Sequence, residues 1–175
     1  MRKVEITLYS FDELSDEAKK NVLRENIEIN VKDCEWVRDV KEEAQSLGFK
    51  IDSFDIASFC KISPFQHAVD IAIEIIDNHG ESCETYKTAK GFLDKWDKLV
   101  SKYSDQKNKK VVAEDKIEAF DFEAINLEVE FFKKLADDYK DILNNQYHYL
   151  ISDEAIIETI QSNEYEFTEK GKIFK

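Results

Sequence analysis

Three histidines and three cysteines are the side chains of this 175-residue chain best suited to metal binding or nucleophilic chemistry. Their spacing favours neither. His79 and Cys83 lie four residues apart and could share a helix face, but Gly80 falls between them and no second pair has zinc-like spacing. A reactive cysteine needs a positive, histidine-paired setting that lowers its pKa. Cys60, seven residues before His67, is the candidate nucleophile, and its place between Phe59 and Ile62 reads as core at a strand end. His148, flanked by Tyr147 and Tyr149, reads as a hydrogen-bonded structural histidine on a helix facing the core. With 38 acidic residues, carboxylate pairs such as Asp137 and Asp141 are inevitable and say little about acid–base chemistry. The four glycines, Gly48, Gly80, Gly91 and Gly171, make neither a G-x-x-x-x-G-K nor a G-x-G-x-x-G phosphate loop. No catalytic residue, metal ligand or cofactor is expected, and a hydrolase without recognisable motifs is the weakest reading.

Charge is the more informative feature. The chain carries 38 Asp and Glu against 25 Lys and Arg, a formal net charge of −13. Such an excess argues against a principal task of holding nucleic acid or an anionic membrane, because both need positive charge. It is unevenly spread. From Lys87 to Lys110, lysines at 87, 90, 95, 98, 102, 107, 109 and 110 face acids at 94, 97 and 105, a net of +5. Residues 114–130 reverse this: Glu114, Asp115, Glu118, Asp121, Glu123, Glu128 and Glu130 against Lys116, a net of −6. As a helix, that segment would span ~25 Å, about one net negative charge per ~4 Å. One DNA strand presents a phosphate every ~3.4 Å, so mimicry of nucleic acid is physically feasible. The plainer use is that the two segments neutralise each other across the fold, or keep the chain dissolved.

The elements that must position these charges read as one α+β domain spanning residues 1–175. A hydrophobic share of 42%, with 12 Phe, 7 Tyr and 2 Trp, requires a packed core. One proline and four glycines leave no flexible linker. Val4, Ile6 and Leu8 alternate with polar residues as in a half-buried strand. Ser15 is placed as the N-cap of a helix carrying Ala18, Val22 and Leu23, with Asp16 and Glu17 in its first turn. A second helix through Val40, Ala44 and Leu47 ends at Gly48, a C′ position suited to positive φ. Residues 49–59 have β-like composition. In residues 67–76 Val69, Ile71, Ile73 and Ile75 alternate with Asp70, Ala72 and Glu74, the clearest strand pattern in the chain. Helices are expected over 82–103, with Gly91 marking a kink or a close contact, and over 113–150, with a stripe of Ile117, Phe120, Ala124, Leu127, Phe131 and Leu135 continued by Tyr139, Ile142, Leu143, Tyr147 and Leu150. Residues 104–110 read as a polar loop, and Ser152 caps a short final helix. Residues 165–174 read as a β-hairpin turning at Gly171. The expected fold is a small, mostly antiparallel sheet covered by several helices, closed by this C-terminal hairpin.

The odd number of cysteines with no C-x-x-C, and an amino terminus that reaches acidic residues before any long apolar run, point to a reducing cytoplasm without a signal peptide.

The segment YLISDEAIIETIQSNEYEFTEKGKIF, residues 149–174, resembles the C-terminal signature of a phage and prophage family of small acidic proteins often labelled antitoxins of toxin–antitoxin stability systems. FDELSDEAKKNVLRE (residues 11–25) and DCEWVRDVKEEAQSLGFKIDSFDI (residues 33–56) are similar to the same family's opening helices and first core strand. These regions cover somewhat under half of the chain. The glycine- and Trp-containing stretch usual after the Phe-Asp-Ile strand is replaced here by SFCKISPFQHAVDIAIEI. The resemblance implies a mobile-element origin, a bacterial cytoplasmic setting and action by binding. It supplies no catalytic motif and no residue-level site.

Together these features lead to the expectation of a non-enzymatic binding protein that inhibits a nucleic-acid-acting toxin or host defence effector. Its expected site is an acidic helical surface formed by Glu118, Asp121, Glu123, Glu128, Glu130, Asp137, Asp138 and Asp141, presented to a basic protein partner. Neither direct nucleic-acid nor membrane binding is expected, and a homodimer is compatible with the sequence. The alternative is a small-molecule binder that sequesters a signalling nucleotide, with Trp36 and Trp96 stacking on the base and the lysines of residues 87–110 meeting phosphates.

Overall fold

The computed structural model describes residues 5–33, 35–104 and 114–174, with the side chains of residues 114–116 left aside. Lys3 and Val4 of the expected first strand, Cys34 and residues 105–110 of the expected polar loop lie outside the described residues. Helices α1 (Asp16–Glu25), α2 (Arg38–Ser46), α3 (Ala68–Asn78), α4 (Glu84–Tyr103), α5 (Glu114–Leu150) and α6 (Asp153–Ser162) accompany one antiparallel pair, β1 (Phe49–Asp55) and β2 (Phe59–Pro64). The class is α+β. The described chain groups into two compact units, residues 39–144 and residues 1–38 with 145–175.

In the larger unit, Phe49 pairs with Pro64, Ile51 with Ile62 and Phe54 with Cys60. A register shift between Ile51 and Ser53 inserts one residue, so Phe54 returns to the face of Phe49 and Ile51 while Lys50, Ser53 and Asp55 point the other way. Phe49 is fully buried and its ring meets that of Tyr139 on α5 edge to face at 5.1 Å. Phe92 of α4 stacks on Phe131 of α5 at 4.4 Å, and Phe120 closes the same seam against Trp96 and Tyr103. Leu135, Tyr139 and Leu143 continue the buried stripe of α5, whereas Ile117 is 45% exposed. Gly48 follows α2 with φ +100°, as its C′ position requires.

Residues 68–78 are helical, which corrects the strand expected there. The buried residues are Ala68, Ile71, Ala72 and Ile75, at i, i+3, i+4 and i+7, and Ile73 is 45% exposed. The segment satisfies both periodicities. The two alanines complete the helical set, and α4, packed beside α3, supplies the neighbour that buries it. Gly91 marks neither kink nor close contact: α4 runs through it unbroken, and a Cβ there would meet nothing within 4 Å.

In the smaller unit, Phe11, Leu14, Ala18, Val22, Ile156, Ile160 and Phe167 form the core. The expected caps are present: Ser15 Oγ accepts from Ala18 N and Ser152 Oγ from Ala155 N, each at 3.3 Å. Asn30 ties two later segments, donating to Leu150 O at 3.0 Å and accepting from the Thr159 hydroxyl at 2.6 Å. The C-terminal hairpin is not formed. Phe167 makes isolated bridges to Tyr9 and Ile173 instead of entering a strand. Its N–H and C=O both pair with Tyr9 at 2.8 Å, and the Gly171 turn (φ +78°) is pressed so closely on α1 that a Cβ there would lie 2.6 Å from Ala18 O. Packing against α1 thus takes the place of hairpin extension. Residues 5–8 form no strand either, and Ile6 is 54% exposed.

Candidate functional site

The eight carboxylates expected to form one surface all lie on α5, but the helix distributes them among four environments. Glu123, Glu130 and Asp137 recur every seven residues and so share a face. The first two are occupied by α4. Lys102 Nζ donates to Glu123 Oε1 at 2.6 Å, with the Tyr103 hydroxyl donating to the same oxygen at 2.8 Å, and Lys95 Nζ donates to Glu130 Oε1 at 2.7 Å. The Lys102 hydrogen bond lowers the Glu123 pKa and the Lys95 bond lowers that of Glu130. Asp137 and Asp141 flank Lys140 of their own helix at 4.0 and 3.6 Å. Asp138 is half-buried, and desolvation raises its pKa against the opposing influence of Thr88.

Glu118, Asp121 and Glu128 remain, and none of them forms an ion pair among the described residues. They border a feature missed in the sequence reading. Phe122, Ile125 and Val129 are 70%, 60% and 62% exposed. Their 3–4 spacing continues through the half-buried Phe132 and Ala136, so α5 carries two apolar stripes, one buried and one open. The signal was present in the sequence: the second stripe repeats the spacing of the first from a different starting residue.

The basic segment is less available than its net charge implied. Lys95 and Lys102 are held by glutamates, Lys87 pairs with Glu84 at 2.6 Å and Lys90 with Asp94 at 3.3 Å. Lys98 shares a shallow groove with Leu99, Asn126 and Leu127, where a phosphate would compete with the Lys95 and Lys102 ion pairs. Trp96 packs on Phe92 and Phe120, and Trp36 on Tyr147. Both indoles are therefore already engaged in packing.

Neither early cysteine–histidine candidate forms a reactive pair. Cys60 is partly buried, and desolvation pushes its thiol up to about 11, opposite to the shift a nucleophile needs. His67 is exposed at the N-cap of α3. His79 turns away from any shared site with Cys83: its Nδ1 is 2.6 Å from Thr85 Oγ1, and its Nε2 is 3.0 Å from Glu43 Oε1, an ion-pair distance without hydrogen-bond alignment. Thr85 is 2% exposed, so this Glu–His–Thr arrangement cannot present its hydroxyl to a substrate. His148 is exposed against Tyr147, not turned to the core as expected. Among the described residues, no group of three or more His, Cys, Asp or Glu could hold a metal ion, and no helix is long and apolar enough to cross a membrane. Compared with protein-family models, curated proteins and solved structures, the chain matches none.

Proposed function

We propose that this chain is a non-enzymatic, phage- or prophage-encoded binding protein that inhibits a nucleic-acid-acting toxin or host defence effector in the bacterial cytoplasm. The origin and setting rest on the resemblance of residues 11–25, 33–56 and 149–174. The docking face rests on one observation: Glu118, Asp121 and Glu128 form no ion pair among the described residues and stand beside the exposed Phe122, Ile125 and Val129. Apolar side chains supply contact area, and unpaired carboxylates steer a basic partner and discriminate against an acidic one. Glu123 and Glu130 are better assigned to holding α4 on α5, because recruiting them would first break their lysine pairs.

The test is affinity capture by the full-length chain from a lysogenic host, with mass spectrometric identification and purification of the captured protein. The expected partner is basic, binds more weakly at roughly 200 than 50 mM salt, and loses part of that salt dependence with the Glu118→Gln, Asp121→Asn, Glu128→Gln variant. A partner bound equally by this variant and the parent at both salt concentrations overturns the acidic docking face.

A further inference from the structure

We propose that the open stripe of α5 is the seat for a basic amphipathic helix of another protein, laid along Phe122, Ile125 and Val129 in coiled-coil fashion with Lys or Arg beside Asp121 and Glu128. This inference rests on the acidic docking reading and specifies the element that docks. In a heptad frame Phe122, Val129 and Ala136 occupy a, Ile125 and Phe132 occupy d, Asp121 and Glu128 occupy g, and Asn126 and Lys133 occupy e. A helix interior has its backbone donors and acceptors paired internally, so this face cannot recruit a strand through main-chain bonds. It can be read only through side chains, and a row with 3–4 spacing matches the ridge of a second helix.

The charges select against a second copy of this chain. In parallel register Glu118, which continues the stripe at d, would meet Glu118 of the other copy within the apolar seam. In antiparallel register the g positions face each other, setting Asp121 and Glu128 against carboxylates. A helix with Lys or Arg flanking its apolar row turns these repulsions into attractions. Lys133 is also without an ion pair among the described residues, so one acidic or neutral residue on the partner fits opposite it.

The probe is a synthetic three-heptad peptide with Leu at a and d and Lys at e and g. Its controls are a scrambled peptide of the same composition and a counterpart with Glu in place of Lys. Binding to the full-length chain is followed by fluorescence anisotropy at roughly 50 and 200 mM salt, with circular dichroism of the peptide. The Lys peptide is expected to bind and gain helicity, at least about tenfold more tightly than either control, and to lose about tenfold in affinity with Phe122→Ser or Val129→Ser. These positions are exposed, so both variants should keep the parent circular dichroism spectrum. Equal binding of the Lys peptide to the parent and to both Ser variants overturns the helix seat while leaving the acidic face in place. Loss of salt dependence with Asp121→Asn and Glu128→Gln supports the charge assignment that both proposals share, and unchanged salt dependence removes both. Absence of binding by the Lys peptide also overturns the seat, as does sedimentation of the free chain as a dimer that Phe122→Ser dissociates.

Discussion

Lys102 of α4 donates to Glu123 of α5 across 2.6 Å, and this contact decides what the segregation of charge along the chain accomplishes. Part of the basic run neutralises part of the acidic run, with Lys95 and Glu130 repeating the arrangement seven residues away on each helix. What the pairs leave behind is a smaller acidic face displaced around α5, together with the apolar stripe that it borders.

The Lys102–Glu123 pair should couple in a double-mutant cycle with Lys102→Met and Glu123→Gln. The hydrogen bond from Lys102 lowers the Glu123 pKa, so this stabilisation is present above the unfolded carboxylate pKa and lost as pH falls through the lower folded value. The Lys102 pKa is raised, chiefly by the hydrogen bond with Glu123, so its contribution is present below the unfolded lysine pKa and lost as pH rises through the folded one. Denaturant unfolding should show a coupling that is largest near neutrality and shrinks in roughly 1 M salt. A coupling independent of both pH and salt would contradict the assignment.

Asp138→Asn should behave oppositely with pH. Desolvation raises the folded pKa of Asp138 above its unfolded value, so its ionisation opposes folding once pH rises past the unfolded pKa. The variant should equal or exceed the parent in melting temperature at pH 7 and lose any advantage near pH 3 to 4, where the parent carboxyl is protonated. A melting temperature lower than the parent's at pH 7, restored on acidification, would show instead that the charged form is stabilised.

Gly91→Ala should stabilise the chain by about 1 kcal/mol, because α4 is regular there and the added methyl meets open space. Gly171→Ala should cost about 1 to 3 kcal/mol, since φ is +78° and the methyl would collide with Ala18 O. Chemical denaturation of the two variants provides the comparison, and equal effects would contradict the packing described for both sites.

Thiol alkylation should discriminate between two cysteines. Cys83 is exposed, whereas Cys60 is partly buried with its thiol pushed up to about 11. At pH 8, iodoacetamide labelling followed by peptide mapping should show Cys60 reacting at least about tenfold more slowly than Cys83. Comparable rates would revive a reactive role for Cys60.

Local physical chemistry by itself determined the α+β class, the caps at Ser15 and Ser152, the positive φ at Gly48 and Gly171, and the long helix over 114–150. Each depends on neighbours within a few residues, such as a hydroxyl before an orphan N–H, a glycine after a last turn, or apolar residues on one stripe. Residues 68–78 satisfied strand and helix periods together, and only packing beside α4 selected the helix. Likewise residues 165–174 pair through isolated bridges instead of hairpin strands, Phe167 bridging both Ile173 and Tyr9, a partner more than 150 residues earlier that no local pattern announces. The functional face followed the same division. Composition located the acids on α5, but tertiary structure determined which of them lysines already held and which apolar stripe was left uncovered, because partners separated by twenty or more residues leave no periodic trace in a single sequence.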